Sequence, residues 1–571
     1  MSTHIETDVF VCGGGPVGLL VAYNLARQGV SSLLVEQYDK ERQDMYGRAT
    51  TLFPRTLEML DQLDLLDDMN QIGFIGRNSV TFKDGERVTS RGWHSMFRHM
   101  HGTYLDYCLN IRQKYSEEIF RNAYKKLGGS VYVSCKLERC SVDHECEDDY
   151  KVSSQIRDLK TGEVLTVKSK YIVGADGGNS SVRRLANIPF EGDSTNHKWV
   201  RMDGRFKTNM PDADLGWAAI ESKNHGNVLW VQLDHGTKRI GFSMTKDMIA
   251  KYGETITVED AKKEAVKAME PFTLEFETLD WWTLYGINQR VAEFFISDDR
   301  IILAGDAGHT HSSGAAQGMN TGVHDAVNLS WKLAGTIKGW YTDSVLQTYD
   351  SERRPAAQCL IELDKAFSAT ISGQIPDSHK GSYSNANELL VKLFDETIQF
   401  TIGLGIHYEE NLINKTVSTG MITAGWRAPD ALVYAPGSHL PVRLFSLTRN
   451  YGKWSIIIFA GQPGDTKDSL AVAVDQLSTF ATTSPEGMIR FLTVIGQSVA
   501  EGDKLFSIPR LGYICFDKDQ SAHAAYAISP GRGAVVVLRP DGTLAHATTL
   551  DNVKSATTLL SSLTPPGLFR G

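Results

Sequence analysis

Residues 8–13 (DVFVCG) form a short unbroken apolar run, which predicts a buried strand. Residues 17–29 (VGLLVAYNLARQG) carry apolar positions at helical spacing, and 31–37 (SSLLVEQ) return to a strand pattern. A strand, a helix and a strand in close succession predict the first unit of a doubly wound parallel sheet. Amphipathic helices are expected over 53–67, with a proline near the start, and over 112–128, stopped by Gly128 and Gly129. Between 190 and 290 the texture changes. Alternating runs such as 225–244 (HGNVLWVQLDHGTKRIGFSM) predict antiparallel strands of a separate sheet. A strand signal returns at 300–308, a helical pattern follows over 318–336, and 350–400 reads as helical. The Gly-, Ala- and Pro-rich stretch 420–436 predicts a linker into a last unit with strands at 454–461 and 533–542.

The turn between the first strand and helix is Gly13-Gly14-Gly15-Pro16-Val17-Gly18, a G-x-G-x-x-G. Gly13 allows the tight turn, Gly15 lets a pyrophosphate approach the backbone, and Gly18 permits close helix–strand packing. The helix N-terminus then offers free N–H groups to phosphate. Glu36 ends the second strand, where a carboxylate suits a ribose hydroxyl and would repel a 2′-phosphate. Three glycines alone could be a structural turn. With strand, helix and acidic residue in place, dinucleotide binding is the expectation.

Composition narrows the class. In 571 residues, Lys+Arg 59 against Asp+Glu 68 gives a net charge of −9, which argues against nucleic acid or an anionic membrane as partner. The length suggests three or so domains at about 100–200 residues each. Seven cysteines without a C-x-x-C pair exclude a disulfide scaffold and fit a reducing, cytoplasmic compartment. The opening residues lack the basic and long apolar segments of a signal peptide, and no apolar stretch is long enough to span a membrane. His94, His99 and His101 do not share a metal-binding face, so a loop or lid is expected there and no metal site is expected.

Two further motifs complete the picture. Residues 171–183 (YIVGADGGNSSVR) are a strand ending in D-G-x-x-S-x-x-R, and 300–309 (RIILAGDAGH) are a strand ending in G-D-A-x-H, continuing to Gly318-Met319-Asn320 at the head of a helix. In this order and spacing, the three motifs resemble the single-component FAD-dependent aromatic hydroxylases, relatives of p-hydroxybenzoate hydroxylase. Residues 309–312 (HTHS), 317–321 (QGMNT) and 55–58 (RTLE), with a late Arg539 to Gly542 turn, are similar to the phenol hydroxylase (phenol 2-monooxygenase) branch.

The resemblance implies an α/β fold. A Rossmann-type FAD-binding domain would span 1–185 and 290–400, with an inserted antiparallel-sheet substrate domain at 186–289. A connector at 401–436 would lead to a thioredoxin-like domain at 437–571 without redox cysteines, supporting a homodimer. It implies FAD as cofactor and NADPH or NADH as electron donor, with no second Rossmann unit for that donor. It also implies O2 and a small phenolic substrate, hydroxylated through a C4a-hydroperoxide. By the same resemblance Asp306 meets the ribityl chain, and Arg48 and Gln113 contact the pyrophosphate and ribityl chain. Asp176 and Arg183 belong to a segment linked to FAD and nicotinamide. The backbone N–H groups of Gly318, Met319 and Asn320 stabilise charge on the reduced flavin.

Alignment to the phenol hydroxylase pattern also marks departures. Thr50 stands where an acidic pocket residue is usual, Leu233 where an arginine is usual, and Gly241 where the phenol-activating tyrosine is usual. Ser313 replaces a proline and Ala316 a glycine, while Arg239 is kept. The expectation is a retained FAD site and a rebuilt substrate site, with Gly241 opening space for a larger ring. Candidates for activating the phenol are Tyr285 and His311, with Arg239 as a candidate for a substrate carboxylate; each has an equally plain structural role available. Baeyer–Villiger, decarboxylating or dearomatising chemistry on the same scaffold stays open, as does a flavin-binding protein without oxygenase activity.

Overall fold

The computed structural model describes residues 4–568 apart from 90–91, 254, 313, 315, 417–421 and 498–507. The first unit is β1 (His4–Cys12), α1 (Pro16–Arg27) and β2 (Ser32–Glu36), with β1 and β2 parallel. Pro16 begins α1, where its missing N–H costs nothing. Val9, Phe10 and Val11 are fully buried because helices cover both faces of the sheet. The helix α2 (Gln113–Lys126) ends before Gly128, as its sequence predicts. On its other side β1 pairs in parallel with β3 (Val164–Gly174), which brings Cys12 opposite Gly174.

The chain then builds a second sheet from β4 (Phe190–Gly204), β5 (Gly226–Gln232), β6 (Lys238–Ser243) and β7 (Trp281–Ala292), all antiparallel neighbours in the order β7-β4-β6-β5. Strand Gly216–Ser222 extends it and pairs in parallel with Asn78–Lys83, so this sheet also recruits residues from far upstream. Strand alternation divides its faces. Val200, Met202, Trp230, Ile240 and Phe242 pack with the small residues Ala261, Ala265 and Ala268 of helix Val258–Ala268. Trp199, Arg201 and Asp203 of β4 therefore face the other way, beside Arg239 and Gly241 of β6 and Thr283 and Tyr285 of β7.

Strand β8 (Ile301–Leu303) returns the chain to the first sheet, parallel to β3. Two long helices follow, α3 (Gln317–Ile337) and α4 (Asp343–Ile371), and then α5 (Ala386–Thr401). A last mixed sheet centres on β9 (Trp454–Gly461), which is parallel to β10 (Ile489–Ile495) and antiparallel to β11 (Ala534–Leu538). It is joined to the two long helices by a buried charge network. Glu352 of α4 accepts from Arg539 at 2.7 and 3.0 Å, from Lys332 at 2.8 Å and from Asn328 at 2.8 Å. Arg539 also binds Asp541, whose carboxylate accepts the Trp331 indole N–H at 3.0 Å. Burial lowers the Lys332 ammonium to about 8, although Glu352 opposes the shift. A buried charge is costly unless it is paired in this way.

A second clasp lies nearer the cleft. Asp325 of α3 accepts from Arg353 Nε at 2.7 Å, His309 Nε2 at 2.7 Å and the Gly305 N–H at 3.0 Å. Burial alone would raise this carboxyl, but Arg353 and His309 hold it at about 2. A depressed acid stabilises the fold above its unfolded value near 3.8, and the contribution disappears as pH falls through 2. Urea unfolding should therefore show the wild type losing about 2 kcal/mol more than Asp325→Asn between pH 5 and pH 2. Parallel pH profiles for the two proteins would contradict this assignment.

Candidate active site

A cleft of about 890 Å³ opens between the C-terminal ends of the parallel strands and the exposed face of the second sheet. Its floor is the glycine turn. Gly13 has φ +108°, and a Cβ there would lie 2.3 Å from the Ala175 carbonyl oxygen. A Cβ on Gly18 would lie 1.9 Å from the Gly13 carbonyl oxygen, whereas Gly15 faces open space. The turn thus packs tightly below and leaves a cradle above it. Glu36 closes one end, its carboxylate accepting the N–H groups of Gly14 and Tyr38, each at 2.9 Å.

The opposite wall comes from the other two motifs. Asp176 Oδ2 accepts the N–H groups of Ser181 and Val182 at 2.6 and 3.2 Å, while its Oδ1 is buried without a partner among the described residues. Burial pushes this carboxyl up, against those hydrogen bonds. Arg183 ties the motifs together by donating to the carbonyls of Ala307 at 2.7 Å and Gly178 at 2.8 Å. Asp306 faces the cleft and makes no hydrogen bond among the described residues. Gly318 and Met319 line the cleft at the first turn of α3. Asn320 is placed differently. Its side chain is buried behind the wall, accepting the Phe53 N–H at 2.9 Å and donating to Thr51 and Ala316 carbonyls at 2.9 and 2.7 Å, so it positions the helix start. Ala316 itself has φ +54°, a left-handed conformation that costs an alanine about 1–2 kcal/mol and a glycine little. Ser313 lies outside the described residues.

Arg48 lines the cleft mouth, its guanidinium 5.2 Å from the Tyr285 ring centre. Gln113 fixes the preceding loop by accepting the Arg48 and Ala49 N–H groups at 3.1 and 3.3 Å. The open glycine cradle and two helix N-termini offer N–H donors that want acceptors, and the two carboxylates with unpartnered oxygens offer acceptors that want donors. The hydroxyls and phosphates of FAD supply such groups, so these residues fit the cofactor.

On the sheet side the cleft is bordered by Thr50, Arg201, Leu229, Val231, Arg239 and Tyr285, and on the helix side by His311 and Ala316. His311 Nδ1 lies 2.9 Å from the Ser312 carbonyl oxygen, and its buried Nε2 has no partner among the described residues. Its ring stacks on His309 with centres 6.2 Å apart. The loop carrying it is pinned by Asp364, which accepts the Ser312 N–H at 2.7 Å, the Ser312 hydroxyl at 2.5 Å and Gln289 Nε2 at 2.7 Å. Arg239 is engaged elsewhere. It holds Asp203, its directly opposite neighbour across β6 and β4, through two bonds of 2.6 and 2.8 Å, and donates to the Arg48 carbonyl at 2.5 Å.

Beyond this lies a second, more apolar cavity of about 530 Å³, walled by Trp93, Trp199, Phe367, Phe394 and Leu390. Trp93 makes edge contacts with Trp217 at 5.3 Å and Phe394 at 4.9 Å. His94 and His99 border it at the two ends of the short helix His94–Arg98. The expectation for Gly241 needs correction. It borders this second cavity, and the room it leaves is filled: a Cβ there would lie 2.5 Å from both Cδ and Nη1 of Arg201, its cross-strand partner. Arg201, Asp325 and Asp364 were not singled out from sequence. Only strand register could have revealed Arg201, and the two carboxylates carry no local motif.

The family model described as an FAD binding domain matches residues 6–364, and that of the phenol hydroxylase C-terminal dimerisation domain matches 406–566. A 3-hydroxybenzoate 4-monooxygenase of Comamonas testosteroni is 28% identical, over 94% of this chain and 91% of its own. A phenol 2-monooxygenase of Aspergillus fumigatus is 25% identical, over 96% of this chain and 95% of its own. An aklavinone-11 hydroxylase solved with FAD and aklavinone shares the fold at TM-score 0.73 and 21% identity, covering 99% of this chain and 100% of that one. The chain belongs to the FAD-dependent aromatic monooxygenases, built on an FAD-binding domain followed by the phenol hydroxylase dimerisation domain.

Proposed function

We propose that the protein hydroxylates a substituted phenolic ring, taking electrons from NADPH or NADH and one oxygen atom from O2. The observation that carries this reading is the continuity of two spaces. The polar cleft that fits FAD adjoins the aromatic cavity, and Trp93, Arg201, Leu229 and Gly314 border both. Bound FAD supplies the redox chemistry and the activation of O2. The chain supplies binding, orientation, dryness and proton handling.

Asp306 and Asp176 accept from cofactor hydroxyls, and the first turn of α3 presents the N–H groups of Gly318 and Met319 to negative charge. A neutral phenol has a pKa of about 10 and is a weak nucleophile, so its proton must leave as the ring reacts. His311 is the proposed acceptor. With Nδ1–H donating to the Ser312 carbonyl, its Nε2 carries the lone pair. Tyr285, on the facing strand, is the second group in reach of the same space and would orient the phenol oxygen. Arg239 is a positioning residue, since its guanidinium holds Asp203 and the backbone at Arg48. The aromatic walls exclude water that would otherwise divert the activated oxygen. All seven cysteines are free, and no described helix is long and apolar enough to cross a membrane, which supports a cytoplasmic location. The C-terminal domain would pair two copies, and a thioredoxin-like arrangement is proposed for it.

Turnover of a phenol panel with NADPH under isotopically labelled O2 tests the reading. One labelled oxygen per product molecule is expected for at least one phenol; label in no product, despite bound flavin, would overturn it. Replacing His311 by Asn should lower hydroxylation by about 10²-fold and divert NADPH oxidation to hydrogen peroxide, while flavin reduction keeps its rate. An unchanged ratio of product to NADPH would remove His311 from the mechanism.

A further inference from the structure

Arg201 combines three properties that rarely coincide. It is 6% exposed, it borders both the cleft and the aromatic cavity, and no carboxylate among the described residues pairs with it. Its hydrogen bond is to the adjacent Val200 carbonyl at 3.1 Å, and its guanidinium lies 4.7 Å from the Trp199 ring centre. The neighbouring carboxylate, Asp203, is held by Arg239 through both oxygens. Burial lowers the Arg201 pKa from its ordinary value, with Arg239 adding to the shift and Tyr285 and Asp203 opposing it, and a guanidinium stays charged at neutral pH all the same. A buried cation left without an anion costs several kcal/mol. The indole N–H of the adjacent Trp199 is likewise buried without an acceptor among the described residues. The sheet is also built around this side chain, because Gly241, directly opposite, leaves the space that Arg201 occupies.

We propose that Arg201 anchors a carboxylate carried by the aromatic substrate, so that the protein acts on an aromatic acid. The inference rests on the hydroxylase reading of the same site. A phenol is neutral at rest and has His311 and Tyr285 to meet it, whereas a resident buried cation is matched by a group that is anionic throughout the cycle. The planar guanidinium fork pairs with both oxygens of a carboxylate, and the adjacent Trp199 N–H is a further donor bordering the aromatic cavity.

The test is binding to the FAD-loaded protein, followed through the flavin absorbance, with 3-hydroxybenzoate and its neutral isostere 3-hydroxybenzamide. The wild type should bind the acid at least ten-fold more tightly than the amide. Arg201→Met should remove that preference, and Arg201→Lys should keep part of it; flavin content and melting temperature report whether each variant is folded. Equal or undetectable binding of the pair by the wild type overturns the proposal, as does a preference that survives in Arg201→Met. Neutral phenols hydroxylated while acids are ignored would also overturn it and leave the hydroxylase reading intact. Failure to hydroxylate any aromatic, acid or neutral, would count against the hydroxylase reading itself.

Discussion

The flavin-facing half of the molecule depends on one buried carboxylate. Asp325 gathers Arg353 of the next helix, His309 after the Gly-Asp turn and the Gly305 N–H into one cluster. That cluster fixes the turn on which Asp306 is displayed and the ring on which His311 stacks. Without it, the third motif would be a loop with the right letters and no fixed direction. Asp364 does the same for the following segment, holding Ser312 by backbone and hydroxyl together. Both carboxylates are buried, where an unpaired acceptor is costly, and this cost enforces the geometry.

The second sheet solves a different problem. One face must fill a core, and the other must present polar groups to a ligand in a nearly dry space. Strand alternation achieves this with adjacent residues of the same strand. In β4, Val200 and Met202 enter the core while Trp199, Arg201 and Asp203 lie on the opposite face, where Arg201 borders the cleft and Trp199 the second cavity. The charges on that face are then sorted by cross-strand pairing. Arg239 meets Asp203 and is neutralised, whereas Arg201 meets Gly241 and is not. One arginine therefore belongs to the scaffold and the other is available to a ligand. The glycine at position 241 makes the arrangement possible, because a Cβ there would collide with Arg201.

Much of the scaffold was legible in the amino-acid sequence because its signals are local. The glycine turn, its flanking strand and helix, and Glu36 lie within one short segment, and the structure has them where the pattern predicts. The helix over 318–336 and the strand at 454–461 were equally plain. What could not be read was register. Nothing near Gly241 in the chain says that Arg201, forty residues earlier, lies across from it, so a glycine was taken for open space. The same limit applies to Asn78–Lys83, which pairs with Gly216–Ser222 in a sheet most of whose strands lie far downstream. Ala316 was recognisable as a departure, but the reason a glycine suits that position is its φ, which only the backbone reveals.

The most direct test of the account is the anaerobic reduction of bound flavin by NADPH in a stopped-flow instrument, with and without phenols, hydroxybenzoates and larger phenolic acids. A site in which the aromatic ligand completes the cleft wall predicts reduction at least ten-fold faster with one phenolic class than without any aromatic, and the account assigns that class to the acids. A reduction rate that is the same with every aromatic as with none would contradict the claim that these two adjoining spaces form one substrate-responsive hydroxylase site.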